Sequence, residues 1–176
     1  MTSLFTGKVE LASDGSVLGT MDATQGWKLY NRSTQLNAFG YGRVIGGGNP
    51  LLSFRAEVSG FLGGMVAIHT VLGQRAASDQ PPSPLSLEVL LGNKALITRI
   101  TVWATQGPSA TLAPDYDLLK AAMDIAAKHH LTIMPCHVKS HQDSEMAYNH
   151  LPWQTKLNSD VDKQACLPGT SEYGQP

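Results

Sequence analysis

Charge is scarce in this sequence. Only 15% of its 176 residues are Asp, Glu, Lys or Arg, against roughly a quarter in an average soluble protein. Thirteen basic residues face fourteen acidic ones, for a net charge of −1, which excludes a protein that coats polyanions through bulk charge. Cysteine is scarcer still, with Cys136 and Cys166 alone. Disulfide scaffolds are shorter and far richer in Cys, so both are expected to be reduced thiols. A zinc set of Cys136, His137, His141 and Cys166 is disfavoured, because no C-x-x-C pair is present. No uninterrupted apolar run approaches the roughly 20 residues of a membrane span, and residues 1–10 lack the basic-then-apolar pattern of a signal peptide. The expectation is an intracellular chain, cytoplasmic or nuclear, with no membrane partner. What the sequence does have is apolar residues, at 42%. That argues against disorder and, at this length, for one domain.

Val9, Leu11 and Ser13 alternate with Glu10, Ala12 and Asp14, a strand running into the turn signal Asp14-Gly15-Ser16. Residues 26–30 and 39–45 read as two further strands, aromatic and β-branched. Together they predict an antiparallel meander, which Gly46-Gly47-Gly48 and Pro50 then break. Ser53 is the expected N-cap of a long helix with Val58, Phe61, Leu62, Met65, Ile68, His69 and Leu72 at helical spacing. Gly60, Gly63 and Gly64 each cost about 1 kcal/mol in a helix interior. Close packing against the sheet would offset that cost, so the helix is expected to lie flat on strands.

A Pro-rich loop over 73–86 precedes a buried strand at 87–91 and a helix over 93–103. After a second loop, 115–130 is the clearest helix: Asp115 and Asp117 suit its start, and Lys128, His129 and His130 its end. Residues 131–138 read as a strand and 152–166 as a last helix. The order is that of an α/β domain with a five-stranded mixed sheet, three antiparallel strands and then two parallel ones, flanked by helices. Residues 1–166 are expected to form this single domain and 167–176 a disordered tail.

Asp14, Glu57 and Asp162 fall at a strand end and on two helices around one sheet edge, where carboxylate clusters for metal ions are built. Four motifs occur in order: Ser13-Asp14-Gly15-Ser16; Arg55-Ala56-Glu57; His137-Val138-Lys139-Ser140-His141-Gln142-Asp143; and Leu157-Asn158 with Asp162 and Ala165. Together, over residues 8–166, they resemble the ribonuclease H-like superfamily, and within it the ribonuclease H-type domains in or near retroelement reverse transcriptases. The resemblance implies hydrolysis of the RNA strand of an RNA/DNA hybrid with two divalent cations, Mg²⁺ or Mn²⁺, held by four acidic residues. It makes Asp14 the first, bridging carboxylate, Glu57 the second and Asp162 the fourth. Asp160, two residues away, points to another helix face. His141 matches a loop histidine that assists proton transfer or product release. Gly15, Ser16, Asn93, Asn158 and Lys139 match positions that contact substrate.

The third acid is missing. Gly92, in Leu90-Leu91-Gly92-Asn93, stands where the family pattern places an Asp. Glu88 lies about 13 Å upstream along the strand and is not expected to replace it. Three explanations are open: a decayed or repurposed domain, an introduced substitution, or a strand that ends elsewhere. Whether the chain is an enzyme is open too. It is either a weakened nuclease, or an inactive nucleic-acid- or protein-binding domain of connecting type. Its limits, just before the first strand and soon after the last helix, fit a piece of a larger polyprotein as well as a stand-alone protein. The oligomeric state is not legible. Lys28, Arg32, Arg43, Arg55, Lys94, Arg99, Lys139 and Lys156 are scattered, so affinity for hybrid or RNA is expected to be modest and salt-sensitive. Trp27, Trp103 and Trp153 are expected to anchor the core rather than stack on bases.

Overall fold

A computed structural model gives the fold, with residues 5, 8–18, 22–44, 52–75, 85–107, 115–139 and 146–166 described. In chain order the elements are β1 (Val9–Leu18), β2 (Asp22–Asn31), β3 (Asn37–Arg43), α1 (Leu52–Arg75), β4 (Leu85–Leu91), α2 (Lys94–Gln106), α3 (Tyr116–Lys128), β5 (Leu131–His137), a single 3-10 turn (Tyr148–His150) and α4 (Trp153–Ala165). They build one five-stranded sheet in the order β3-β2-β1-β4-β5. β1 pairs antiparallel with β2, and β2 with β3; β1–β4 and β4–β5 are parallel. This is the expected mixed sheet.

The expected turn at Asp14-Gly15-Ser16 is not there. β1 runs straight through it to Leu18, and Asp14 pairs with Gly26 and Gly15 with Gln25. The glycine serves a close approach instead. A Cβ on Gly15 would run into the backbone of Ala56 and Glu57, so only glycine lets α1 come down on the strand here. Other element ends shift less. Ser53 lies inside the first turn of α1, β4 begins at Leu85, and α2 continues to Gln106. The expected break at 46–50, most of both Pro-containing loops and the tail 167–176 lie outside the described residues.

The helix glycines do what their cost implies. A Cβ on Gly60 would stand 2.9 Å from the carbonyl oxygens of Asp14 and Gly26, and one on Gly63 would stand 2.7 Å from the Trp27 ring. By length and composition α1 could cross a membrane over Ser53–Gln74; here its Phe61, Met65 and Ile68 are fully buried in the core with Val9, Leu11, Leu29, Leu87 and Ile100. Each such side chain contributes about 1.5–3 kcal/mol through burial.

The other sheet face is thinner. Among the described residues α4 covers it, through Leu157 and Val161 on Ala12, Tyr30 and Leu90. One ion-paired acid is sealed beneath it. Glu10 has no exposed surface; it pairs with Arg32 at 2.7 Å and accepts from Trp153 Nε1 at 2.8 Å. Its neighbour across the parallel strands, Glu88, pairs with Lys8 at 2.6 Å and accepts from the Cys136 thiol at 3.3 Å. Trp27 and Trp103 pack against the main core and Trp153 against the second, as core anchors do.

Candidate active site

The parallel pairing of β1 with β4 ends at Ser13↔Leu91. Asp14 and Gly92 are therefore the residues that follow the last pair, one on each strand. β1 stays in the sheet because β2 continues to pair with it. β4 bends away at Gly92, and Asn93 caps α2. The C-terminal edge of the parallel strands thus opens beside Asp14, the usual place for a ligand site in such sheets.

Glu57 is set against Asp14 by the fit of α1 over Gly15 and Gly60. It is 9% exposed, and its Oε2 is buried without a hydrogen-bond partner. Burial, above all, pushes its carboxyl up to about 8; the charge of Asp14, a hydrogen bond with Asp14 and the charge of Asp162 push the same way. A carboxyl so placed holds a proton at neutral pH unless a cation replaces it.

Asp162 comes from α4. That helix presses on β2 closely: a Cβ on Gly26 would stand 3.1 Å from the Val161 carbonyl, and Thr24 Oγ1 donates to the Ala165 carbonyl. The Cys166 thiol bridges the strand and the helix, donating to Ser16 Oγ at 3.7 Å and to Asp162 Oδ1 at 3.8 Å. One turn before Asp162, Asn158 is 4% exposed with Oδ1 unpartnered. Asp160 turns elsewhere, to Lys28 and to the Tyr148 hydroxyl, both at 2.8 Å.

Asp14, Gly15, Ser16, Glu57, Gly92, Asn158 and Asp162 thus gather at one edge. Among the described residues, no three His, Cys, Asp or Glu side chains form a closed metal site. Asp14 and Glu57 are in hydrogen-bond contact and Asp162 acts on Glu57 by charge alone. Asn93 has a structural task, its side chain accepting from Leu96 N at 3.1 Å. Lys139 is exposed just past β5, and His141 lies outside the described residues.

Three features were not foreseen from the sequence. Cys166 touches the site; its position four residues after Asp162, on the same helix face, is the signal that could have found it. Arg55 bonds Asp115 at 2.6 Å. Asp115 is left-handed, with φ 57°, and makes no side-chain cap, so it fastens α3 to α1 where a helix-start acid was expected. His129, read as a complement to the α3 dipole, also shares a 2.7 Å ring contact with His69 of α1.

No protein-family model matches the sequence, and no curated protein matches it. Solved structures do match. Ribonuclease H1 from Halobacterium salinarum NRC-1 superposes with a TM-score of 0.54 at 18% identity, over 78% of this chain and 90% of that one. LC9-RNase H1, a type 1 ribonuclease H with the type 2 active-site motif, gives 0.61 at 14% identity, over 91% and 71%. A foamy viral protease-reverse transcriptase in complex with RNA/DNA hybrid gives 0.55 at 11% identity, over 94% of this chain and 20% of that much longer one. Identities this low establish architecture alone. The chain has the ribonuclease H fold.

Proposed function

We propose that the chain is a ribonuclease H-type nuclease domain that acts on the RNA strand of an RNA/DNA hybrid, weakened by the loss of one metal-binding acid. The observation that carries this is the contact of Asp14 with Glu57 at the open edge of β1 and β4, with Asp162 near enough to act on Glu57 by charge and one Glu57 oxygen buried and partnerless. Such an oxygen suits a hard cation. Asp14, Glu57 and Asp162 would hold Mg²⁺ or Mn²⁺, which when bound supplies an activated water and charge stabilisation for the leaving 3′-oxygen. Glu57 is the acid that feels both of the others, and it would release its proton on becoming a ligand. Ser16, Asn158 and the backbone at Gly15 line the approach for the sugar-phosphate chain; Lys139 and His141 would flank it. Support for a hybrid substrate comes from the foamy viral neighbour, solved in complex with one.

Gly92 is the weak point. Its place beside Asp14 is where a further carboxylate would complete the set, and outer-shell losses alone cost 10–100-fold. Among the described residues only Gly107 is a positive-φ glycine, so the backbone at Gly92 accepts an Asp without left-handed strain. The test is cleavage of a labelled hybrid by wild type, Gly92→Asp and Asp14→Asn in Mg²⁺ and Mn²⁺. The expected result is slow cleavage, raised at least about tenfold by Gly92→Asp and abolished by Asp14→Asn. Rapid wild-type cleavage would overturn the role given to Gly92. No cleavage by either wild type or Gly92→Asp, with hybrid still bound, would favour the second reading: a binding domain of connecting type within a longer polyprotein, a reading supported by the match to one fifth of a foamy viral protease-reverse transcriptase.

A further inference from the structure

The sheet face covered by α4 is left bare at β3. Phe39 and Tyr41 are 56% and 47% exposed. Their partners across the strands are Lys28 and Gly26, and both of these positions meet α4: Lys28 bonds Asp160, and Gly26 lies under Val161. Paired residues share a face, so the two aromatics stand on the α4 side, just beyond the helix. A third exposed aromatic, Tyr148, continues the row. Its hydroxyl bonds Asp160, and Lys156 and Lys163 stand 5.7 and 5.1 Å from its ring. Arg43 closes the other end, exposed, two residues beyond Tyr41.

The composition of this strip is unlike that of the chain. Four cations, Lys28, Arg43, Lys156 and Lys163, are gathered along it in a protein of net charge −1. Among the described residues the acids on this side include Asp160, engaged with Lys28 and Tyr148; Glu10, sealed beneath α4 in its pair with Arg32; Asp14 and Asp162 of the candidate site; and Asp22 at the start of β2. Exposed rings at alternate strand positions beside a line of cations are the means by which proteins hold single-stranded nucleic acid: bases stack on rings and phosphates lie on the charges. Asp162 of the candidate site and Lys163 of the strip are consecutive residues of α4, so the site and the strip lie on neighbouring faces of one helix.

We infer that the β3–α4 strip binds a single-stranded segment of nucleic acid contiguous with the hybrid, which makes a hybrid with a single-stranded overhang the favoured substrate. This rests on the proposed nuclease reading and adds a second contact surface to it. Two variants test it by fluorescence anisotropy with labelled blunt hybrid and with the same hybrid carrying an overhang of about eight nucleotides. Phe39→Ser/Tyr41→Ser should weaken binding of the overhang substrate at least about tenfold, with blunt-hybrid affinity, blunt-hybrid cleavage and melting temperature unchanged. Arg43→Gln should lower the slope of log affinity against log salt by about 0.7, one phosphate contact to a single strand. Wild type binding the two substrates equally would overturn the inference while leaving the nuclease reading intact. The same holds for a double variant that keeps full overhang affinity, or that only turns a dimer into a monomer on sedimentation, because the strip would then serve a second copy of the chain. Failure of wild type to bind any nucleic acid would overturn both.

Discussion

Replacing Glu57 by Gln should stabilise the protein in EDTA, and should do so only above mildly acid pH. Glu57 is forced to keep its proton, first by burial and then by Asp14 and Asp162, with its carboxyl raised from an ordinary 4.5 to about 8. Between those two pH values the folded protein holds a proton that the unfolded chain has released. Stability then falls as pH rises, because the folded state binds more protons than the unfolded one. At about 1.4 kcal/mol per pH unit, the full rise corresponds to at most roughly 5 kcal/mol by pH 8. The proton is shared with Asp14, so the cost belongs to the pair rather than to Glu57 alone. Gln has the same shape and no charge to release. It should remove most of the slope and raise the melting temperature at pH 8 by at most about 10–20 °C, taking about 2–4 °C per kcal/mol at this chain length.

Differential scanning fluorimetry from pH 4.5 to 8.5 in EDTA, wild type against Glu57→Gln, measures this directly. Wild type should be most stable near the acid end of the range and Glu57→Gln nearly flat. Mn²⁺ added at pH 8 should restore wild type by mass action and leave Glu57→Gln unmoved. A wild-type melting temperature that is flat or rises toward pH 8 would refute the electrostatic account. So would a Glu57→Gln variant less stable than wild type at every pH, since the side chain would then be contributing contacts rather than storing repulsion.

Two more outcomes follow from the way α1 is seated. Gly15→Ala should destabilise by about 2–3 kcal/mol in urea and abolish cleavage, because the added methyl must displace the backbone of Ala56 and Glu57; unchanged stability would mean that α1 is not seated as described. Arg55→Ala should cost on the order of 3 kcal/mol, because it strands the Asp115 side chain, only 7% exposed. The exposed pair Lys120–Asp124 is the control, and Lys120→Ala should leave the urea midpoint in place.

Much of the fold was legible because its signals are local. Alternation marked the strands, helical spacing marked α1 and α3, and the three mid-helix glycines pointed correctly to a helix pressed on a sheet. The acids of the candidate site were legible for the same reason: each sits in a short motif tied to one element. What stayed hidden depends on partners distant in sequence. Asp14-Gly15 has the composition of a turn, and nothing within it reveals that Asp22 to Gly26 lie alongside and keep β1 extended. Asp115 suits a helix start, yet its carboxylate is claimed by Arg55, 60 residues earlier. Glu10 sits at an ordinary polar position of an alternating strand, and only α4 and Arg32 turn that position into a sealed ion pair. The cations of the β3–α4 strip lie far apart along the chain, and strand register and one helix bring them together.

The same register bears on the three readings left open for Gly92. Had β4 ended elsewhere, another residue would stand beside Asp14 and the missing acid would be an error of placement. The pairs Val9↔Leu87 through Ser13↔Leu91 hold both strands in step up to the edge, and a parallel strand cannot slip by one residue without turning its side chains to the opposite face. Leu90 and Leu91 are both fully buried, in the second core and the main core respectively. A slip would carry each into the opposite layer, whose packing is built around other side chains. Gly92 is therefore the residue that follows the last β1–β4 pair, as Asp14 is on β1. Glu88, held below its ordinary range by Lys8 and Cys136 against the upward push of burial, is bound into a separate polar cluster. An Asp placed at Gly92 would add negative charge near Asp14 and Glu57, pushing the Glu57 carboxyl further up without metal and strengthening the hold on a cation with it, so the stability slope in EDTA and the response to Gly92→Asp read out the same electrostatic balance from opposite sides.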